Sequence, residues 1–279
     1  MSTKHILQAW QGIDTSDGAG VKLRRVLGAN SDMRLDPYLM LDHFSSDEPN
    51  DYLAGFPAHP HRGFETVTYI VDGHMQHKDH LGNQGDLKAG GVQWMLAGKG
   101  IIHEEMPQQE NGLLRGFQIW LNLPAAEKMQ DAYYKDIPAS AMPWQKLNEL
   151  AQIKLIAGQV MDGQLQPLAN KTTAPIIADL ALEGKALLQL QLPTSHPALL
   201  YVFEGSVELD GQVLQAGFAA ELSQEETTLV LSSPTGARVL MIAGKPINEP
   251  IAQYGPFVMN TQAEIKQAIH DYNTGQLTK

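Results

Sequence analysis

Residues 59–66 read His-Pro-His-Arg-Gly-Phe-Glu-Thr, and a single residue separates the two histidines. Side chains at positions i and i+2 of a β-strand point to the same face, about 6.6 Å apart along the chain. On a helix the same two side chains would diverge by about 200°. Two imidazoles on an extended strand can lean toward one ion at about 2.1 Å. The stretch therefore predicts a β-strand that presents metal ligands.

A second stretch repeats this spacing with a different pair of ligands. Residues 98–107 read Gly-Lys-Gly-Ile-Ile-His-Glu-Glu-Met-Pro. Alternation along a strand places His103 and Glu105 on one face and sends Glu104 to the other face. A strand of this kind that crosses near the first one adds an imidazole and a carboxylate to the same site.

The two stretches together predict one site with three imidazoles and one carboxylate, supplied by His59, His61, His103 and Glu105. Glu65 has the same parity as His61 and is a second candidate carboxylate for the same cavity. Such ligands suit Fe(II), Mn(II), Co(II), Ni(II), Cu(II) or Zn(II), so the ligand types alone do not choose the metal. Four protein ligands on a six-coordinate ion leave two open positions, which favours redox or dioxygen chemistry over a closed structural site.

The rest of the chain is typical of many short strands. Turn residues flank most of seven segments rich in β-branched, aromatic or aliphatic side chains, at 66–71, 92–97, 115–121, 187–192, 199–203, 227–231 and 238–243. This pattern predicts an all-β sandwich or barrel. A short helix is predicted over 127–134, and a longer one over 261–273, where Thr261 can act as the N-cap and Gly275 can end the helix.

A repeated strand and turn pattern predicts two similar domains. Residues 69–73 read Tyr-Ile-Val-Asp-Gly, residues 201–205 read Tyr-Val-Phe-Glu-Gly, and a hairpin pattern follows each of them. Repetition of such a unit indicates duplication of one β-domain. We predict an N-terminal metal-binding domain over 1–140 and a C-terminal domain over 141–279. The second domain has only His196 in the matching region, so we expect it to be metal-free and structural.

The composition excludes several classes of function. The 279 residues include 20 Lys+Arg and 31 Asp+Glu, giving a net charge of −11, and no cysteine. A general nucleic-acid binder needs a basic face, so this charge argues against direct nucleic-acid binding. Disulfides, thiolate ligands and cysteine nucleophiles are impossible. No segment approaches the roughly 20 apolar residues of a membrane span. We expect a cytoplasmic protein, and a monomer because duplication already provides an intramolecular partner.

Five stretches resemble the pirin family of the cupin superfamily, namely 16–21, 59–66, 93–95, 98–107 and 255–260. The resemblance covers nearly the whole chain and implies a bicupin, with two β-barrels and a C-terminal segment that returns to the first domain. It also implies one mononuclear iron in the N-terminal barrel, with His59, His61, His103 and Glu105 as ligands. The general cupin pattern instead nominates Glu65, because its ligand glutamate closely follows the two histidines.

The resemblance further implies a quercetin 2,3-dioxygenase, with Fe(II) as cofactor and a phenolic small molecule and dioxygen as substrates. The metal lowers the pKa of a flavonol hydroxyl, and Glu105 or Glu65 accepts its proton. The flavonol then reacts with dioxygen, and its ring opens with loss of carbon monoxide. The alternative is a non-enzymatic iron-dependent regulator that binds a transcription-related protein partner. A third possibility is a metal-assisted isomerase or hydrolase, which consumes no oxygen.

The remaining candidates receive simpler interpretations. Phe56 and Phe64 flank the predicted ligands and are candidate walls of the pocket. His74, His77 and His80 follow Gly73 and could form a second metal site, but alternation places His77 opposite the other two, so we favour a solvated turn. We interpret Trp94 and Trp120 as core residues, and Arg24 and Arg25 as solvated charges.

Overall fold

The computed structural model describes residues 2–30, 33–109, 112–160 and 172–279. Contacts divide the chain into two units, which we call the larger unit and the smaller unit. The larger unit comprises the described residues of 14–34, 38–141 and 247–279, and the smaller unit comprises those of 1–13, 35–37 and 142–246. The predicted division into 1–140 and 141–279 stays a prediction. Among the described residues, no helix is both long and apolar enough to cross a membrane.

The larger unit contains a seven-stranded sheet, a four-stranded sheet and a two-stranded hairpin, all antiparallel. Its strands are β2 (Ile13–Asp17), β3 (Val21–Leu27), β4 (Tyr38–Ser46), β5 (Phe56–His61), β6 (Phe64–Asp72), β7 (His74–Asp79), β8 (Gln84–Lys88), β9 (Val92–Leu96), β10 (Ile101–Pro107), β11 (Leu114–Asn122), β12 (Tyr133–Ile137), β22 (Ala252–Tyr254) and β23 (Phe257–Met259). The sheet orders are β12-β9-β6-β11-β4-β3-β2 and β5-β10-β7-β8.

The smaller unit contains one ten-stranded sheet around an apolar core. Its strands are β1 (Ile6–Gln11), β13 (Gln145–Asn148), β14 (Ala151–Ala157), β15 (Ile176–Glu183), β16 (Ala186–Gln191), β17 (Ala198–Leu209), β18 (Gln212–Gln215), β19 (Phe218–Leu222), β20 (Thr228–Ser233) and β21 (Gly236–Ala243). Side chains of β16 alternate strictly between buried and exposed, as expected when one face of a strand packs on a core.

The predicted all-β class is confirmed, and each of the seven predicted segments overlaps a strand. The short helix predicted over 127–134 is wrong. Residues Ala125–Glu127 form a 3₁₀ helix, and Tyr133 begins β12, which pairs with β9. The aromatic pair Tyr133 and Tyr134 favours an extended strand, and pairing with β9 outweighs the weak helical pattern.

The predicted C-terminal helix is confirmed as α1 (Gln262–Asn273). The Thr261 hydroxyl accepts a hydrogen bond from the Glu264 backbone N–H, and the Glu264 carboxylate accepts one from the Thr261 backbone N–H. This reciprocal cap satisfies two N–H groups that a helix start otherwise leaves unpaired. Within the larger unit, Arg62 donates to Asp271 of α1 at 2.7 Å, which anchors the helix beside the end of β5.

Candidate metal centre

The two sequence stretches form adjacent strands, as their spacing predicts. Strand β5 pairs with β10 so that His59 lies directly opposite His103. A register shift after His103 places Glu105 opposite Phe56. On its other edge β10 pairs with β7, where His77 lies opposite Glu105. With His61, which is also on β5, five ligand-type side chains therefore come together from three neighbouring strands.

Three imidazoles from β5 and β10 lie close enough to share one ion. One ring nitrogen from each of His59, His61 and His103 lies within 4.8 Å of the other two. The Nε2 atoms of His59 and His61 are 3.0 Å apart. Two ligands bound at right angles, with metal–nitrogen bonds of about 2.1 Å, are also about 3.0 Å apart. The spacing of these imidazoles fits a single transition-metal ion.

The protonation of the imidazoles also suits metal binding. His59 Nδ1 lies 2.8 Å from the Pro57 carbonyl oxygen, to which it donates its proton. The Nε2 lone pair of His59 is then free for a ligand bond, as in other metal sites where the second ring nitrogen fixes the tautomer. Burial lowers the pKa of both His61 and His103 well below the usual histidine value. Both rings are consequently neutral, which metal ligation requires.

One of these buried rings carries a candidate ligand nitrogen that lacks a hydrogen bond. Within the described part of the chain, His103 Nε2 has no hydrogen-bond partner, whereas His103 Nδ1 lies 3.2 Å from His77 Nδ1. A buried polar atom without a partner costs about 1–3 kcal/mol, so such atoms usually have a ligand or a structural reason. Neutral imidazoles beside a carboxylate are a normal donor set for divalent transition metals. The residues present therefore fit a metal.

Glu105 supplies the carboxylate from the same face of β10. Its side chain is buried, and its Oε1 accepts a hydrogen bond from the Thr68 hydroxyl at 3.0 Å. Burial raises the pKa of Glu105, while the nearby His59 and the Thr68 hydrogen bond oppose that rise. A cation in the site would stabilise the ionised carboxylate by direct charge interaction.

His77 is a buried residue of the site, although the sequence favoured a solvated turn for it. It lies on β7 and not in a solvated turn, with its ring 5.0 Å from that of His103 and 5.1 Å from that of Tyr134. Ligand atoms of His77, His103 and Glu105 lie within 4.8 Å of one another. Burial lowers the pKa of His77 to about 4. Strand alternation separates His77 from His74, but only the pairing of β7 with β10 reveals what it faces.

A cavity of about 870 Å³ opens beside the imidazoles in the larger unit. His59, His61 and Glu105 line it, together with Phe56 and Trp120. This volume lies in the range that holds a drug-sized organic molecule. The cavity therefore gives a small molecule direct access to the candidate ligands.

The two predicted aromatic walls have different positions. Phe56 lines the cavity, whereas Phe64 is fully buried, with its ring 5.1 Å from that of His61 and 4.4 Å from that of Trp120. Trp120, interpreted from the sequence as a core residue, is the aromatic side chain that reaches the cavity from this cluster. Phe64 instead packs against the rings of His61 and Trp120.

Arg25 at the cavity is paired rather than solvated. Arg25 donates two hydrogen bonds to the buried Asp42, at 2.8 and 2.7 Å, and a third to Asp17 at 2.9 Å. These hydrogen bonds raise the pKa of the Arg25 guanidinium. The sequence interpretation of Arg25 as a solvated charge is therefore wrong, because its partner Asp42 lies on the neighbouring strand β4.

The structure does not bring Glu65 together with the other candidate ligands. Glu65 is buried on β6 opposite Leu96 and Leu121, and it belongs to neither group of ligand atoms described above. Gly63 explains the difference, because its φ of +90° turns the chain between β5 and β6. The alternation that starts at His61 ends at this turn.

The chain is similar in sequence to family models and to known proteins. The family model described as "Pirin" matches residues 20–121, and the model described as "Pirin C-terminal cupin domain" matches residues 177–278. A protein of Pseudomonas aeruginosa named "Putative quercetin 2,3-dioxygenase" is 50% identical over 280 residues, covering 98% of both chains. A "Pirin-like protein" of Caulobacter vibrioides is 41% identical over 276 residues, covering 99% of this chain and 100% of its own length.

A solved structure shares the complete fold. The crystal structure of a quercetin 2,3-dioxygenase from Acinetobacter baumannii matches this chain with a TM-score of 0.92 at 35% sequence identity. The match covers 99% of each chain. The similarity therefore extends over both units.

Proposed function

The chain belongs to the pirin family of bicupins, and on this premise we propose that it is a metal-dependent dioxygenase that cleaves flavonols of the quercetin type. The predicted family and the bicupin fold are confirmed. Its quercetin 2,3-dioxygenase-like relatives make it a member of that class of enzyme. The specific reaction and substrate belong to our proposal.

We assign the metal to His59, His61, His103 and Glu105, with Fe(II) as the resident ion. The observation that carries this proposal is the cluster of three imidazoles from His59, His61 and His103, of which His59 and His61 line a cavity that Glu105 also lines. When bound, a divalent ion with open positions stabilises the ionised hydroxyl of a phenol and provides a site for redox chemistry. A location in the cytoplasm and a monomeric state remain predictions from the sequence.

The chain's own residues have separate roles in this proposal. Phe56 and Trp120 provide apolar walls against which a flat phenolic ring can pack. Glu105 accepts the proton of the substrate hydroxyl, because it is a cavity-lining carboxylate among the candidate ligands, whereas Asp17 and Asp42 are both paired with Arg25. Glu65 stays only the sequence-based alternative for this role, since it lies outside both ligand groups. Arg25 and Asp42 form an ion pair in the cavity wall, so their two charges offset each other.

Oxygen uptake tests the proposed reaction directly. Protein reconstituted anaerobically with Fe(II), and quantified for iron, is mixed with dioxygen in the presence or absence of quercetin. We expect uptake that requires both iron and quercetin and that releases carbon monoxide. His59→Ala should abolish uptake. His196→Ala, which removes a buried histidine from the smaller unit, is the matched control and should leave uptake unchanged.

The same measurement can overturn the proposal. Iron-loaded protein that consumes no oxygen with quercetin or related flavonols would contradict a flavonol dioxygenase. If that protein held one iron tightly, the iron-dependent regulator would become the better interpretation. Substrate conversion without oxygen, supported equally by zinc, would instead favour a metal-assisted isomerase or hydrolase.

A further inference from the structure

A hydrogen-bonded row of side chains leads from Glu105 to the wall of the cavity. The Thr68 hydroxyl oxygen lies 3.0 Å from Glu105 Oε1 and 2.6 Å from Gln118 Oε1. Thr68 on β6 and Gln118 on β11 are directly opposite each other in the sheet. Thr68 is buried, whereas Gln118 lines the cavity. The row therefore connects the candidate metal centre with the space that a substrate would fill.

The number of available protons gives this row a direction. A threonine hydroxyl has one proton, and an ionised carboxylate only accepts hydrogen bonds. When Glu105 is ionised, as metal ligation requires, the Thr68 proton must go to Glu105. The single Thr68 proton cannot serve both Glu105 and Gln118 Oε1, so in the metal-bound protein the Gln118 amide turns to direct its NH₂ group at the Thr68 oxygen. In that state Gln118 donates to Thr68, and Thr68 donates to Glu105.

We propose that Thr68 and Gln118 are positioning residues that fix the Glu105 carboxylate for metal binding. This inference rests on the metal centre of the proposed function. With Oε1 held by Thr68, the carboxylate presents Oε2 to the ion in one orientation. A glutamate side chain loses substantial rotamer freedom when it is fixed, and the Thr68 hydrogen bond offsets that loss before the metal arrives. Residues that orient ligands in this way commonly contribute about 10–100-fold to metal affinity.

The smaller unit contains a comparable pair without a ligand beside it. Thr228 on β20 lies opposite Gln191 on β16, and the Gln191 amide donates to the Thr228 hydroxyl at 3.1 Å. Thr228 is also buried. Removing the Thr228 hydroxyl disrupts a cross-strand threonine–glutamine pair of the same composition. Thr228→Val is therefore a matched control for Thr68→Val.

Cobalt(II) binding tests the proposal without any need for turnover. Metal-free full-length protein is titrated with cobalt(II) against a competing chelator, and the visible absorption bands report the coordination of the ion. We expect Thr68→Val to weaken binding by about 10–100-fold and to shift the bands. Thr68→Ser keeps the hydroxyl and should retain the wild-type cobalt(II) affinity and absorption bands. Thr228→Val should change neither the affinity nor the bands. Thermal unfolding of each variant separates loss of metal affinity from loss of the fold.

A second variant protects the test if Thr68→Val does not fold. Gln118→Glu has nearly the same shape but cannot donate to Thr68, and it should weaken cobalt binding by about tenfold. Wild-type affinity and unchanged bands in either folded variant would overturn the positioning role alone. If the wild-type chain bound no metal, the proposed function and this inference would both fail.

Discussion

In the larger unit β5 pairs with β10, β10 with β7, and β7 with β8. In the smaller unit β16 pairs with β20, β20 with the end of β17, and β17 with β18. The order of neighbours is the same, so β5 corresponds to β16 and β10 corresponds to β20. This correspondence allows the interiors of the two units to be compared strand by strand.

The matching strands carry opposite kinds of side chain. Across β5 and β10, His59 lies opposite His103. Across β16 and β20, Leu188 lies opposite Leu231, and both are buried in the apolar core of the smaller unit. Leucine offers no ligand atom, whereas neutral imidazole is a good one. The comparison teaches that the same strand arrangement can enclose a packed core or a ligand cavity, according to the residues on two strands.

The largest expected effect is on metal affinity, when a histidine of the larger unit is replaced by the leucine type found on the matching strand of the smaller unit. His103→Leu removes one of the three imidazoles, so we expect metal affinity to fall by more than the roughly 100-fold typical of losing a supporting residue. Metal content after reconstitution and dialysis measures the change, with His196→Leu as the control. A His103→Leu protein that retained a full equivalent of metal would contradict the assignment of His103 as a metal ligand.

A second prediction concerns the apolar core of the smaller unit, which we expect to affect stability but not metal binding. Leu231→Ala leaves a cavity in the core of the smaller unit and should lower the free energy of unfolding by about 2–5 kcal/mol. Metal content of the folded protein should stay at the wild-type value, because Leu231 belongs to the other unit. Urea denaturation measures the first quantity and metal analysis the second. A loss of metal without a loss of stability would contradict the comparison.

The buried histidines predict that the metal-free protein loses stability in acid. The folded-state pKa of His77 is about 4, below the ordinary value of 6.5, so the unfolded chain binds more protons between these values. The contribution of His77 to the free energy of unfolding is therefore fully present above pH 6.5 and decreases as the pH falls. At pH 4 this contribution is lower by on the order of 3 kcal/mol.

Urea denaturation of metal-free protein across pH 4–7 measures this dependence. His77→Gln should reduce the slope, because glutamine does not titrate. His61 and His103 should contribute in the same direction, since burial also lowers their pKa. An identical pH dependence in wild type and His77→Gln would contradict a buried neutral His77.

The smallest expected effect concerns α1, which belongs to the larger unit. Thr261→Ala removes the N-cap side chain and should cost about 1 kcal/mol of stability. Thr261→Ser keeps the hydroxyl and should restore most of the loss. Thermal unfolding measures both variants. An alanine variant as stable as wild type would show that tertiary packing, and not the cap, holds the start of this helix.

Local alternation predicted much of the site. The shared face of His103 and Glu105 follows from the two-residue period of a strand, and both side chains are buried as that period requires. The likeness of 69–73 to 201–205 also indicated the duplicated fold. These inferences succeeded because they depend on a few neighbouring residues.

Other features depended on contacts between distant parts of the chain. His77 joins the site only because β7 pairs with β10 in a register that no local pattern specifies. Glu65 departs from the predicted parity because Gly63 turns the chain immediately before β6. Trp120 reaches the cavity from a strand whose composition is typical of a core. In each case register or tertiary packing, and not residue type, decides the outcome.

The central claim is that His59, His61, His103 and Glu105 hold one transition-metal ion. Anomalous diffraction at the iron edge, from crystals of protein reconstituted anaerobically with Fe(II), tests it most directly. We predict one strong peak per chain, about 2.0–2.2 Å from a nitrogen of each histidine and an oxygen of Glu105. A peak bonded to His77 in place of His59, or a peak within the smaller unit, would contradict the account.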